Sequence, residues 1–263
     1  MINKKFVILI LISVLVLSQK IFAQNVQEIS EGPKILVLNY HQIQNKSTSL
    51  SIPLADFDAQ MNYLSSHGYV SITPDELYSG LNGELELPKK PVLITFDDGY
   101  ADNYTNAFPI LKYYGMRATI FVIPAFVGVY SNYLTWDEIR EMADNGITIE
   151  SHTMHHYKLE ELPNDAIRSE LLNSKQILEE NLGYEVNFLA YPTGTYNLHI
   201  AGIAKEVGYK GAFTIKYGNV DLGSNFYALE RVPIFNSAGH TMKDFYERIE
   251  YRQSFEEFGW IKR

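Results

Sequence analysis

The chain has 263 residues, 46% hydrophobic and 13% aromatic, with a formal charge of −9 and no cysteine. That apolar content supports one large α/β domain or two small ones and excludes a largely disordered chain. The acidic balance argues against nucleic acid and anionic polymers as partners, and the missing cysteine excludes a disulfide framework and a lipid-modified Cys. Any metal site has to be built from His, Asp and Glu.

The N-terminus carries Lys4 and Lys5, an apolar run from Phe6 to Leu17 and the segment Ser18 to Gln24. These regions read as a secretory signal over residues 1–23, cut after Ala23. The run is short for a membrane span, and the alternative is an uncleaved anchor, the one case that implies membrane contact. Cleavage removes Lys4, Lys5 and Lys20 and no acid, so the charge falls from −9 to −12. The expected location is therefore secreted or periplasmic, or membrane-anchored if the signal stays. Residues 24–33 read as a short polar linker and 34–263 as one domain.

The domain opens on an apolar strand from Lys34 to Tyr40 with His41 at its end. Helical spacing of Leu54, Phe57, Met61 and Leu64 predicts a helix to Ser66, closed by Gly68. A short strand, 69–72, leads to a helix capped by Thr73 with Pro74 at its first position. After a polar loop, Val92 to Phe96 is a buried strand that ends in Asp97-Asp98-Gly99. A helix follows from Asp102 or Asn103 to Tyr114, with Pro109 expected to shift or kink it. Further strands are expected at 118–123, 147–150, 188–191, 211–215 and 229–235, and further helices from Thr135, at 164–181, 197–207 and 241–251. This alternation, with no repeat and no internal linker, predicts a single α/β domain: a distorted or incomplete (β/α) barrel of seven to eight strands, TIM-barrel-like.

In such a barrel the active site forms where the strands end. Adjacent Asp97 and Asp98 repel each other, and taken alone they read as an Asp-Gly turn in which one Asp caps the next helix, the alternative being a pair compensated by a cation, a metal or a catalytic task. His152 and His156 are four residues apart, so one helical turn after the strand would put both imidazoles on one side, able to share a cation. One carboxylate from Asp97-Asp98 would complete a two-His, one-carboxylate set with open positions. His155 should point elsewhere, and His67 and His199 read as solvated.

Thr95-Phe96-Asp97-Asp98-Gly99-Tyr100 resembles the first motif of the polysaccharide deacetylases with the NodB homology domain, carbohydrate esterase family 4. His152-Thr153-Met154-His155-His156 resembles their second motif, Leu38-Asn39-Tyr40-His41 their opening Tyr-His strand, and Ala190 to Tyr196 one form of the third motif. The resemblance spans about residues 35–249. It implies a divalent metal, zinc with cobalt or nickel as substitutes, on Asp98, His152 and His156, with Asp97 as general base. It also implies a backbone N–H, that of Tyr191, for the oxyanion.

Two departures stand out. The third-motif Arg that pairs with the base is replaced by Ala190 or Tyr191, and Arg231 is the substitute expected to reach Asp97 and keep it ionised. The fifth-motif His that serves as general acid is missing, which leaves His240 and His41 as candidates. Tyr130, Tyr133, Trp136 and Tyr196 are the aromatic candidates for a glycan groove. The implied activity is removal of N-acetyl groups from N-acetylglucosamine units of an extracellular or cell-wall polysaccharide. The alternatives are a non-catalytic carbohydrate-binding protein that keeps the fold, an O-acetyl xylan esterase and a metal hydrolase acting on a non-sugar amide.

Overall fold

Strands and helices alternate as the patterning requires in the computed structural model, which describes residues 34–46, 48–236 and 242–257, with side chains to Ile249 in the last helix. The strands are β1 (Leu36–Tyr40), β2 (Gln42–Ile43), β3 (Ser51–Ile52), β4 (Val70–Ser71), β5 (Pro91–Phe96), β6 (Thr119–Val122), β7 (Thr148–Ser151), β8 (Phe188–Ala190), β9 (Gly211–Tyr217) and β10 (Leu229–Pro233). The helices are α1 (Leu54–Ser66), α2 (Pro74–Leu81), α3 (Phe108–Tyr113), α4 (Trp136–Asp144), α5 (Asn164–Leu182), α6 (Leu198–Val207) and α7 (Met242–Glu257). The leader and linker expected over residues 1–33, and His240, lie outside the described residues.

Seven parallel strands close into a barrel in the order β1, β5, β6, β7, β8, β9, β10, because β1 pairs with both β5 and β10. Strand β4 stands outside this ring. It pairs with Pro91 and Val92 at the start of β5, whereas β6 takes Thr95 and Phe96 at its end. The short β2 and β3, which hydrophobic patterning missed, pair with each other beside the end of β1.

Period-two alternation divides the apolar side chains between two cores. Leu36, Leu38 and Tyr40 of β1 face the helices, with Ile94, Ile120 and Ile149. Ile35, Val37, Leu93, Phe121, Phe188, Phe213 and Leu229 belong to the second cluster, inside the barrel, which Ile72 and Leu77 extend and against which Tyr78, Leu81 and Leu87 pack. Strand ends are thereby fixed in two senses: bulky apolar groups fill the lower interior, and the next inward positions up the strands carry Asn39, Thr95, Asp97, Arg231 and His152.

Local signals account for the helix boundaries. Thr73 and Thr135 each close a capping box, with Glu76 and Glu138. The segment expected as one helix from residue 102 to 114 is split. Pro109 has no N–H to return to Thr105, and the preceding turn widens into a π-helix over Asn103–Ala107 before α3 begins.

Candidate metal and acid–base site

The loops after β5, β7 and β8 share an uncommon backbone feature. Asp98 (φ 74°), Thr153 (φ 64°), His156 (φ 61°) and Thr193 (φ 58°) are the four non-glycine residues with left-handed φ among the described residues, and all follow strand C-termini. Such conformations cost free energy and persist where surrounding contacts demand them. Gly194, φ 73°, closes the last of these turns, and a Cβ there would sit 2.3 Å from the Ile215 side chain.

Asp98, His152 and His156 converge: each offers one ligand atom, and all three atoms lie within 4.8 Å of one another. Both histidine Nε2 atoms stand 3.4 Å from Asp98 Oδ1. That is long for a hydrogen bond, but two ligands about 2.0–2.1 Å from one tetrahedral cation stand about 3.4 Å apart. The carbonyl of Ala190 lies 2.7 Å from His152 Nδ1. If Nδ1 carries the proton, as that contact favours, the Nε2 lone pair faces a carboxylate oxygen, an arrangement that calls for a cation or a second proton. Burial pushes His152 down, and Asp98 and Asp97 reverse that, leaving it raised; His156 is pushed down by burial and by His152. The residues present therefore fit a divalent cation.

No helical turn joins the two histidines, contrary to the spacing argument. They converge, ring centroids 4.7 Å apart, through an irregular loop bent at Thr153 and His156. His155 turns away, its Nδ1 2.6 Å from Glu170 Oε1. His67 lies against Tyr63 at the surface, and His199 pairs with Asn164.

Asp97 stands in a different environment from its neighbour. Arg231, fully buried, grips it with two bonds, Nη1 to Oδ1 at 2.8 Å and Nη2 to Oδ2 at 2.7 Å. The guanidinium is itself held by Thr214 O and Thr95 Oγ1, at 2.7 and 3.2 Å. Asn39 Nδ2 donates a third bond to Asp97 Oδ2, at 2.9 Å. Burial alone would push the Asp97 carboxyl up, and Arg231 more than offsets it, holding Asp97 well below the usual carboxylate range. Asn39 carries no expectation of its own, since in Leu38-Asn39-Tyr40-His41 the resemblance rests on the Tyr-His pair.

His41 sits close enough to Asp97, Asp98, Arg231 and His152 to feel their charges; burial, the largest influence, pushes its imidazole down. Its carbonyl accepts from Asn103 Nδ2 at 2.8 Å, and its Nδ1 is buried with no hydrogen-bond partner among the described residues. Tyr191 corrects an expectation. Its N–H donates to Phe213 O at 3.0 Å in the ladder with β9, so it is not free for an oxyanion. Pro192 has no N–H, and the next donor along the chain is Thr193. Among the aromatic candidates, Tyr133 stacks on Tyr100 beside the Asp97-Asp98-Gly99 turn, Tyr130 is 52% exposed, Tyr196 stacks on Tyr191, and Trp136 packs on the helix-facing core.

The pattern of the family described as Polysaccharide deacetylase matches residues 84–212. YxkH of Bacillus subtilis, which carries the polysaccharide deacetylase name, is 39% identical over 201 residues, 76% of this chain and 71% of that protein. Poly-beta-1,6-N-acetyl-D-glucosamine N-deacetylase of Staphylococcus aureus (strain MRSA252) is 30% identical over 232 residues, 77% of this chain and 79% of that protein. The structure of Streptococcus pyogenes deacetylase PplD superimposes with a TM-score of 0.78 at 30% identity, over 83% of this chain and 99% of that one. With the barrel, the two-motif geometry and these likenesses together, the chain belongs to the polysaccharide deacetylase family.

Proposed function

We propose that this protein is a secreted, divalent-metal-dependent hydrolase that removes N-acetyl groups from N-acetylglucosamine units of an extracellular or cell-wall polysaccharide. The observation that carries the reading is the convergence of Asp98, His152 and His156 beside an Asp97 locked ionised by Arg231. A catalytic domain over 34–263 behind a leader cut after Ala23 completes the layout. The named substrate of the Staphylococcus aureus relative supports the N-acetylglucosamine assignment.

Asp98, His152 and His156 would hold the cation, zinc by its donor set with cobalt or nickel as substitutes, and it would supply Lewis-acid polarisation of the acetyl carbonyl and a more acidic water. Asp97 is the general base. Among the described residues its Oδ2 accepts from Arg231 and Asn39 and its Oδ1 from Arg231 alone, so Oδ1 keeps the lone pair that takes the water's proton. The Thr193 N–H, presented by the left-handed turn after β8, is the oxyanion donor in place of that of Tyr191. His41, at the end of β1 and under the electrostatic influence of both carboxylates, is the candidate to return a proton to the departing amine, with His240 as the other. Acetate and the free amino sugar leave.

The test is acetate release from poly-β-1,6-N-acetylglucosamine by the mature chain supplied with zinc. Asp97→Asn should lower the rate on the order of 10³-fold while zinc stays bound. Zinc binding without acetate release from any acetylated glycan would overturn the enzymatic reading.

A further inference from the structure

Helix α5 carries two buried polar residues one turn apart, Glu170 and Ser174, that the proposed reaction does not use. Glu170 reaches the loop that joins His152 to His156 directly, and Ser174 reaches it through Ser151 at the end of β7. The Glu170 carboxylate accepts the His155 N–H at 2.9 Å through Oε2 and lies 2.6 Å from His155 Nδ1 through Oε1, and its main-chain carbonyl accepts the Met154 N–H at 3.2 Å. Ser174 Oγ lies 2.8 Å from Ser151 Oγ, which accepts the Thr153 N–H at 3.2 Å. Thr153 Oγ1 then accepts the N–H of His156, also at 3.2 Å.

Every backbone N–H from Thr153 to His156 is thus donated, and the partners trace to α5 or to the loop's own hydroxyls. The same loop holds two of the left-handed residues, Thr153 and His156. Without an external clamp such a segment relaxes to ordinary φ values, and the histidine rings separate. Resting on the reading of Asp98, His152 and His156 as cation ligands, we infer that Glu170 and Ser174 are positioning residues. They hold the histidine loop in its strained form before the cation arrives, and so set the affinity of the site.

The experiment measures zinc affinity of the full mature chain by competition with a chromophoric chelator, the visible spectrum of the cobalt-substituted protein, and the melting of the metal-free form. Glu170→Ala should weaken zinc binding at least about tenfold and change the cobalt spectrum, as loss of groups that orient metal ligands does elsewhere. Glu170→Gln, which keeps an acceptor for the His155 N–H, should recover most of the affinity, and Ser174→Ala should give a smaller loss. If Glu170→Ala fails to fold, Ser174→Ala alone carries the comparison, with a loss of zinc affinity expected and an unchanged affinity overturning the inference. Zinc affinities of Glu170→Ala and Ser174→Ala within about twofold of wild type, even with a lowered melting temperature, would make the pair merely structural and overturn the inference. A wild-type chain that binds no zinc would overturn the metal reading itself, a result distinct from unchanged variants.

Discussion

Two carboxylates buried inside the same barrel meet opposite fates. At the mouth, Asp97 is held well below the usual carboxylate range, because the Arg231 guanidinium outweighs the cost of burial. Lower down, Glu150 on β7 is also buried, yet its carboxyl is pushed well above its ordinary value, burial dominating. Glu150 accepts the N–H of Phe188 at 2.7 Å and pairs in register with Phe121, both within the apolar interior cluster. Removing water from a carboxylate favours the neutral acid unless a cation is supplied at contact distance. The mouth has that cation and keeps a charge for chemistry; the floor, among the described residues, has no cation in contact with Glu150, and burial there favours the protonated form.

Arg231→Met strikes this contrast hardest. It leaves Asp97 buried without its cation, which should cost about 3–5 kcal/mol in unfolding free energy. Burial then raises the carboxyl, so the acid limb of the pH–rate profile should move to higher pH. Adding Asp97→Asn should return part of the lost stability, and a double variant no more stable than Arg231→Met would mean that the pair is not the source of the loss. Glu150→Gln should match wild type to within about 1 kcal/mol below pH about 4, where both states hold the proton, and should be the more stable of the two at neutral pH. A carboxyl whose folded pKa is raised contributes stability below its unfolded pKa and loses it as pH rises through the folded value. Denaturant melts at rising pH should therefore show wild type falling relative to Glu150→Gln.

The smallest expected effect is at Asp102, beside the mouth but outside the site. Burial pushes its carboxyl up to about 6, against the lowering influence of bonds from Ile43 N–H and Asn103. Its contribution should be lost as pH rises from about 4, the unfolded value, to about 6. Asp102→Asn keeps an acceptor for Ile43, so its melting temperature should exceed wild type's above pH about 6 and match it below about 4. A constant difference across that range would remove the titration from the account.

Much of this architecture is legible in the chain because it depends on local pattern. Strand and helix order, the caps at Thr73 and Thr135, and the placement of Asp97, Asp98, His152 and His156 at strand ends all follow from hydrophobic period and turn chemistry. Even the disturbance at Pro109 was expected, although its form, a π-helix, was not.

What the chain alone left undecided lies in contacts between segments far apart in sequence. Asn39 and Asp97 are 58 positions apart with nothing local to link them, and Arg231 and Asp97 are 134 apart, a pairing expected through the family resemblance and not through pattern. Neither alternation nor composition says which inward-facing groups of different strands will meet. Tyr191 shows the same limit in reverse, because only the pairing of β8 with β9 reveals that its N–H is already used. The two histidines met through left-handed backbone held by α5, which four-residue spacing could not disclose. Short-range sterics and hydrophobic period set the elements and the residues at their ends. Closure of the ring set which of those residues touch, because hydrogen-bond register across parallel strands is a property of the assembled barrel.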